Sequence, residues 1–142
     1  MSSLPPRIAL ITGAAQGIGL EIALRLADDG YDVAVNDLGI KAEALQEVVS
    51  QIQAKGRRSM AAVADVSVED DVRDMVNQVV DGLGGLDVMV ANAGIVIVNP
   101  MVETTAQEWD QIMSVNLRGV MLNYKYAAQQ MIKQRRGGRI IG

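Results

Sequence analysis

Short apolar runs alternate with amphipathic ones along this chain at a nearly constant pitch, and few folds tolerate that rhythm. Apolar runs open at residues 7, 32, 59 and 86, spaced by 25, 27 and 27 residues. Each interval holds one short strand and one crossover helix, and such units build a parallel sheet. The strands are expected over Arg7–Thr12, Asp32–Asn36, Ser59–Ala64 and Leu86–Ala91. They are nearly continuous in apolar character, as strands covered by helices on both faces must be. The spacing predicts a doubly wound α/β fold.

The intervening segments read as helices. Leu20 to Leu26 is stopped by Asp28-Asp29-Gly30, and Leu45, Val48, Val49 and Ile52 mark one face of a helix ending at Gly56. Ser67 with Asp70 is expected to form a capping box ahead of the stripe Val72, Met75, Val76, Val79, Val80 and Leu83. Thr105 with Glu108 repeats that signature before a long helical region. There Met113, Leu117, Val120, Met121, Tyr124, Ala128 and Met131 are expected to face the sheet, leaving Leu122 and Tyr126 off that face. Gly137-Gly138 ends the helix, and Arg139-Ile140-Ile141 opens a fifth strand.

Composition narrows the chemistry. The 142 residues include no Cys and no His, which removes thiolate nucleophiles, disulfides, sulfur-ligated metals and imidazole acid–base catalysis. No stretch approaches the ~20 apolar residues of a membrane span. The start, Met1-Ser2-Ser3-Leu4-Pro5-Pro6-Arg7, lacks the pattern of a secretory signal. These features point to a soluble, cytoplasmic protein with no membrane partner. Charge is uneven: residues 1–117 carry seven basic and all 17 acidic side chains, whereas residues 118–142 carry six basic and no acidic ones. No aromatics interleave with those cations as stacking platforms would, so they read as helix-end charges and not as a nucleic-acid surface.

Four strand ends carry polar signals. Thr12-Gly13-Ala14-Ala15-Gln16-Gly17-Ile18-Gly19 lies where the first strand turns into the first helix. Glycines there permit a tight turn and let backbone N–H groups approach a pyrophosphate. Asp37 ends the second strand 18 residues after Gly19, where a carboxylate can accept from ribose hydroxyls. It would repel a 2′-phosphate, and the glycine loop has no cation to offset it; Lys41 is the nearest in sequence. NAD is therefore favoured over NADP. Asp65-Val66 and Asn92-Ala93-Gly94 follow the third and fourth strands, on the sheet edge where such folds bind ligands. Taken singly, Asp65 also fits a turn residue and Asn92 an amide pinning adjacent strands. Asn116 interrupts the long helix, where its amide competes for backbone hydrogen bonds.

Together, Thr12-Gly13-x-x-x-Gly17-Ile18-Gly19, Asp65-Val66, Asn92-Ala93-Gly94 and Val115-Asn116-Leu117 resemble the short-chain dehydrogenases/reductases, in family order over the whole chain. Asp37 is similar to the NAD-preferring branch, and the Asp32–Asp37 segment resembles acetoin/diacetyl reductases. The resemblance implies a Rossmann-type fold over residues 1–142, with Gly13, Gln16, Gly17, Ile18 and Gly19 cradling the adenosine and pyrophosphate. It implies that Asp37 and Leu38 hold the ribose and that Asp65 and Val66 flank the adenine. Asn92, Ala93 and Gly94 would support the nucleotide, and Asn116 would hold a water in the family's proton relay.

The family's hydride transfer also needs a Ser after the fifth strand and a Tyr-x-x-x-Lys on the next helix. Four residues after Tyr31, Tyr124 and Tyr126 come Val35, Ala128 and Gln130, so the second motif is absent. The resemblance thus implies a truncated chain that stops at about strand five, binds NAD mainly through its ADP half and is inactive alone. Self-association is expected through the long helix 105–136, the strand-five edge, or both. An interaction protein reusing the half-fold, or an oxidoreductase active in an unusual assembly, are the alternative readings.

Overall fold

The computed structural model describes residues 5–142; Met1–Leu4, part of the segment read above for a leader, lie outside the described residues. Five strands form one parallel sheet in the order β3-β2-β1-β4-β5. They are β1 (Ile8–Ile11), β2 (Asp32–Asp37), β3 (Ser59–Val63), β4 (Val88–Val90) and β5 (Arg139–Ile141). The helices between them are α1 (Gly17–Asp28), α2 (Ala42–Ala54), α3 (Glu69–Leu83), α4 (Ala106–Met113) and α5 (Val120–Gln134). Every expected strand is present within a residue or two, and the reversal of strand order lies between β1 and β4. This is the doubly wound Rossmann arrangement.

Alternate residues of each strand feed two cores. On one face Ala9, Ile11, Val33 and Val35 pack with Ala23 and Ala27 of α1 and with Leu45, Val48 and Ile52 of α2. On the other, Leu10, Ala34 and Met89 pack with Val72, Met75, Val76 and Val79 of α3 and with Leu122, Ala127 and Met131 of α5. Leu10, Ile11 and Val35 are fully buried, as two-sided coverage requires. β5 pairs with β4 and forms the outer strand of the sheet, and Ile141 is half exposed there.

Two expectations about the helices fail. The Ser67–Asp70 capping box does not form: α3 begins at Glu69, and its N-cap position is Val68, with no side-chain cap. Ser67 instead donates through both N–H and Oγ to Asp65 Oδ1, at 2.9 and 2.6 Å. A charge-assisted pair of bonds outcompetes a neutral cap. The other signature, Thr105 with Glu108, does form a reciprocal box.

The long helical region departs in part from the expected stripe: Met131 is buried as expected, but three of its members face outward. Leu117 and Met121 are 65% and 50% exposed, and Tyr124 is also exposed, whereas Leu122 is buried and Tyr126 packs against the core. Two causes combine. Residues Ser114–Gly119 adopt a π-helical turn, which breaks the 3.6-residue period between α4 and α5. The buried face also uses Gly119 and Asn123, which a count of apolar residues passes over. A Cβ on Gly119 would meet Val66 Cγ2 at 3.0 Å, so α5 approaches the β3–α3 loop closely only because that residue is glycine. Asn123 donates to the Gly119 carbonyl at 2.8 Å.

Three of the six cations of residues 118–142 have partners elsewhere in the fold. Arg136 pairs with Asp87, Lys125 with Glu69, and Arg118 donates to the Ser67 carbonyl.

Candidate functional site

The carboxyl ends of β1, β2, β3 and β4 converge on a cleft of about 530 Å³. The β1–α1 turn forms its floor. Gly13 and Gly17 adopt φ of +63° and +59°, a left-handed conformation that side chains other than glycine resist. Gly19 is different, because its φ is ordinary but its surroundings are closed. A Cβ there would sit 2.5 Å from Asn92 Nδ2 and closer still to the Gly13 carbonyl oxygen. Its absence lets the first turn of α1 dock directly on the β1 and β4 ends.

Asn92 and Thr12 tie those ends together. Asn92 Nδ2 donates to the carbonyls of Thr12 and Gly13, at 3.0 and 3.3 Å. Thr12 Oγ1 accepts from the Ala93 N–H at 3.0 Å. Asn92 therefore pins neighbouring strands, while Ala93 and Gly94 line the cleft beside it.

At the end of β2, Asp37 points its carboxylate back toward the glycine turn. Oδ2 accepts from the Ala15 N–H at 3.2 Å, and Oδ1 accepts from the Leu38 N–H at 2.9 Å. No side-chain cation shares it among the described residues. Leu38 is exposed on the rim. Beyond β3, Asp65 is engaged by Ser67 as described, so its turn role is real, and Val66 is buried behind it.

Asn116 stands at the centre of the π-helical turn. Its Oδ1 accepts from the Ile95 N–H, and its Nδ2 donates to the Ile95 carbonyl, both at 2.8 Å. This two-point clamp fixes the segment that leaves β4 against the long helix. A Cβ on Gly94 would meet Asn116 Oδ1 at 3.3 Å, so the clamp also needs a small neighbour.

Gly13, Gln16, Gly17, Ile18, Asp37, Leu38, Asp65, Val66, Asn92, Ala93 and Gly94 all line this one cleft. Gly19 lies beneath it and Asn116 behind Ile95. The structure adds Asn36, Lys41, Ser67, Gln111 and Ser114 to the lining. Gln111 and Ser114 share a helix face by their spacing of three, a signal the sequence offered only once a cleft beside them was known. Asn36 is nearly fully buried: its amide donates to the Ala62 and Ala64 carbonyls and holds the end of β3. Among the described residues, no group of three or more acidic, His or Cys side chains is placed to hold a metal.

A parallel sheet in this order, with a glycine turn at its first strand end and polar groups at the switch point, defines a Rossmann-type nucleotide-binding fold. Residues 7–142 match the family described as short chain dehydrogenase, and the chain belongs to that family. It is 54% identical over 136 residues to a short-chain dehydrogenase/reductase of Armillaria gallica, covering 96% of this chain and 52% of that protein. It is 47% identical over 129 residues to a 3-oxoacyl-[acyl-carrier-protein] reductase of Staphylococcus aureus, covering 91% of this chain and 52% of the relative. Among solved structures, a short-chain type dehydrogenase/reductase from Mycobacterium marinum superposes with a TM-score of 0.90 at 40% identity, over 94% of this chain and 53% of that one. A short chain dehydrogenase from Burkholderia cenocepacia, solved in complex with NADP, gives a TM-score of 0.84 at 41% identity, over 87% and 50%. The chain spans about half the length of the curated relatives it matches.

Proposed function

We propose that residues 1–142 act as the dinucleotide-binding half of a short-chain dehydrogenase/reductase and hold NAD in preference to NADP. The observation that carries this reading is the placement of Asp37. It ends β2 beside the glycine turn, lines the cleft and is steadied by two backbone donors, and among the described residues no cation pairs with it. A carboxylate so held can accept from both hydroxyls of an adenosine ribose. In this reading Gly13, Gln16, Gly17, Ile18 and Gly19 cradle the adenosine and pyrophosphate, and Leu38 backs the ribose. Asp65 and Val66 flank the adenine, and Asn92, Ala93 and Gly94 support the nucleotide from β4. The closed space at Gly19 and the left-handed turns at Gly13 and Gly17 suit a ligand that needs close backbone approach.

Bound NAD would supply the hydride chemistry of the family. This chain's residues bind and orient it; Asn116 is a positioning residue for a water in the proton relay. No Tyr of the sequence has Lys four residues later, so the 142 residues hold cofactor without reducing a carbonyl. The likeness to acetoin/diacetyl reductases makes small ketones and diketones the first compounds to assay with NADH. Titration calorimetry of NAD against wild type and Asp37→Ala tests the reading. Loss of the two ribose bonds should weaken NAD by about tenfold or more. ADP-ribose and NAD should bind wild type alike; a large preference for NAD would put important contacts on the nicotinamide side.

The exposed Leu117, Met121 and Tyr124, with the open edge of β5, favour self-association through the long helix 105–136, the strand edge, or both. Sedimentation that finds a monomer at high micromolar concentration rejects that part. A cytoplasmic location belongs to the same reading, and imaging of the tagged chain checks it.

A further inference from the structure

Two segments wall the cleft beyond β3 and β4, and one short turn of the long helix holds both. The β3–α3 loop is a tight unit. The Asp65 carbonyl accepts from the Val68 N–H at 3.0 Å, the Asp65 carboxylate accepts from Ser67, and the Asp65 N–H donates to Asp71 at 3.0 Å. Bonded in this way, Asp65, Val66 and Ser67 shift as one piece. The segment that leaves β4 is built differently. Gly94–Pro100 has no regular structure, and Val96 and Val98 are exposed. Its backbone is held at Ile95, through the two bonds to Asn116.

The π-helical turn Ser114–Gly119 carries the contacts to both. Asn116 takes Ile95. Two residues on, Arg118 Nη2 donates to the Ser67 carbonyl at 3.2 Å. Gly119 lies so close to Val66 that a Cβ would meet the Val66 carbonyl oxygen at 3.1 Å. Asp65, Val66, Ser67, Gly94 and Ile95 all line the cleft, whereas Arg118 is exposed and outside that lining. Turns of this kind are rare and recur at functional sites. A shift of Val66 and Ser67 pulls on Gly119 and Arg118, and Asn116, in the same turn, carries it to Ile95 through packed and hydrogen-bonded neighbours.

We propose that Arg118 is a positioning residue that ties the two walls together, so that a nucleotide filling the β3 side of the cleft orders the segment that leaves β4. The inference rests on the dinucleotide reading above and adds a coupling within that site: the adenosine half of the ligand prepares the wall beside which the rest of it would lie.

The test is amide hydrogen exchange of the full chain, free and saturated with 5′-AMP, in wild type, Arg118→Met and Arg118→Lys. Calorimetry gives the 5′-AMP affinity of each, and circular dichroism checks that the variants fold. Methionine keeps most of the stem of Arg118 and removes its donor. 5′-AMP should slow exchange at Ile95 and across Val96–Thr104 by about fivefold in wild type. In Arg118→Met the slowing should fall below about twofold, while the 5′-AMP affinity stays within about threefold of wild type. Arg118→Lys keeps a donor for the Ser67 carbonyl and should recover most of the slowing. Undiminished slowing in Arg118→Met would mean that the coupling does not run through Arg118, and overturns the inference. So would faster exchange in β1 and β2 of that variant, which would make Arg118 a general brace of the fold. If 5′-AMP binds wild type without slowing Ile95–Thr104, the inference fails and the dinucleotide reading stands. If wild type binds neither 5′-AMP, ADP-ribose nor NAD, both fail together.

Discussion

The two edges of the sheet use the same residue type for opposite purposes. At the edge where strands begin, Asp32 and Asp87 are nearly fully buried and each meets arginine. Asp32 takes Arg57 at 2.6 Å and Arg58 at 2.8 Å, together with the Arg58 backbone N–H. Asp87 takes Arg136 at 2.7 Å and the Ile8 N–H at 2.8 Å, so it joins β1, the β4 approach and the end of α5. At the edge where strands finish, Asp37 and Asp65 are half-buried and bonded by backbone or hydroxyl donors, with no arginine. Carboxylates at the first edge are neutralised and hold the fold. Those at the second face a cleft, with no cation paired to them among the described residues.

That contrast is broken most forcefully at Asp87. Asp87→Ala should strand the buried Ile8 N–H and release Arg136, costing about 3 kcal/mol of unfolding free energy. Urea denaturation measures it, and a loss below about 1 kcal/mol would mean the strand-start edge is not a structural clamp.

Asn116→Ala tests the finishing edge where it does serve the fold. Two hydrogen bonds to Ile95 disappear, but at an exposed position where water can replace them, so about 1 kcal/mol is expected. Amide exchange in the Gly94–Thr104 segment should rise while β1 and β2 stay protected. Asp37→Ala should move stability less still, under about 1 kcal/mol, since the carboxylate serves only two backbone donors in the free chain. A loss equal to that of Asp87→Ala would erase the distinction between the edges.

How much of this was legible in sequence follows from the same contrast. Gly13, Gly17, Asp37, Asp65 and Asn92 sit at strand ends, and strand ends are marked by period and by glycine, so their convergence could be read from spacing alone. The role of Asp32 could not, because its partners Arg57 and Arg58 lie 25 and 26 residues away and nothing local distinguishes it from a solvated strand residue. The long helix misled for another reason. Its apolar residues occupy two faces, and the buried one is chosen by Gly119 and Asn123 and by the π-helical turn at Ser114–Gly119. Ser67 failed as a cap because Asp65, two residues earlier, is a better partner. In each case a tertiary or charged contact overruled a local pattern.

The smallest effect is a dependence on pH, and at the strand-start edge it comes from Asp32. Burial is the largest influence on Asp32 and pushes its carboxyl upward; the Arg58 backbone and side-chain bonds and the Arg57 charge outweigh it and hold the group below its ordinary value of 3.8. Above that value Asp32 is ionised in both folded and unfolded chains, and the full contribution of its ion pairs is present. As pH falls below it, the unfolded chain takes up a proton that the folded chain refuses, and the contribution is lost progressively down through the folded value. Glu69, held low by hydrogen bonds from Lys125 and Tyr126, and Glu108, held low by the Thr105 backbone N–H, lose stability with acid in the same direction. Wild type alone therefore cannot isolate Asp32, but its difference from Asp32→Asn can, since both chains carry the two glutamates. That difference should stay flat above about pH 5 and shrink on acidification. A gap that widens instead would mean that Asp32 is protonated more readily in the folded chain, that burial prevails over its arginines, and that the two sheet edges do not differ in the way their contacts indicate.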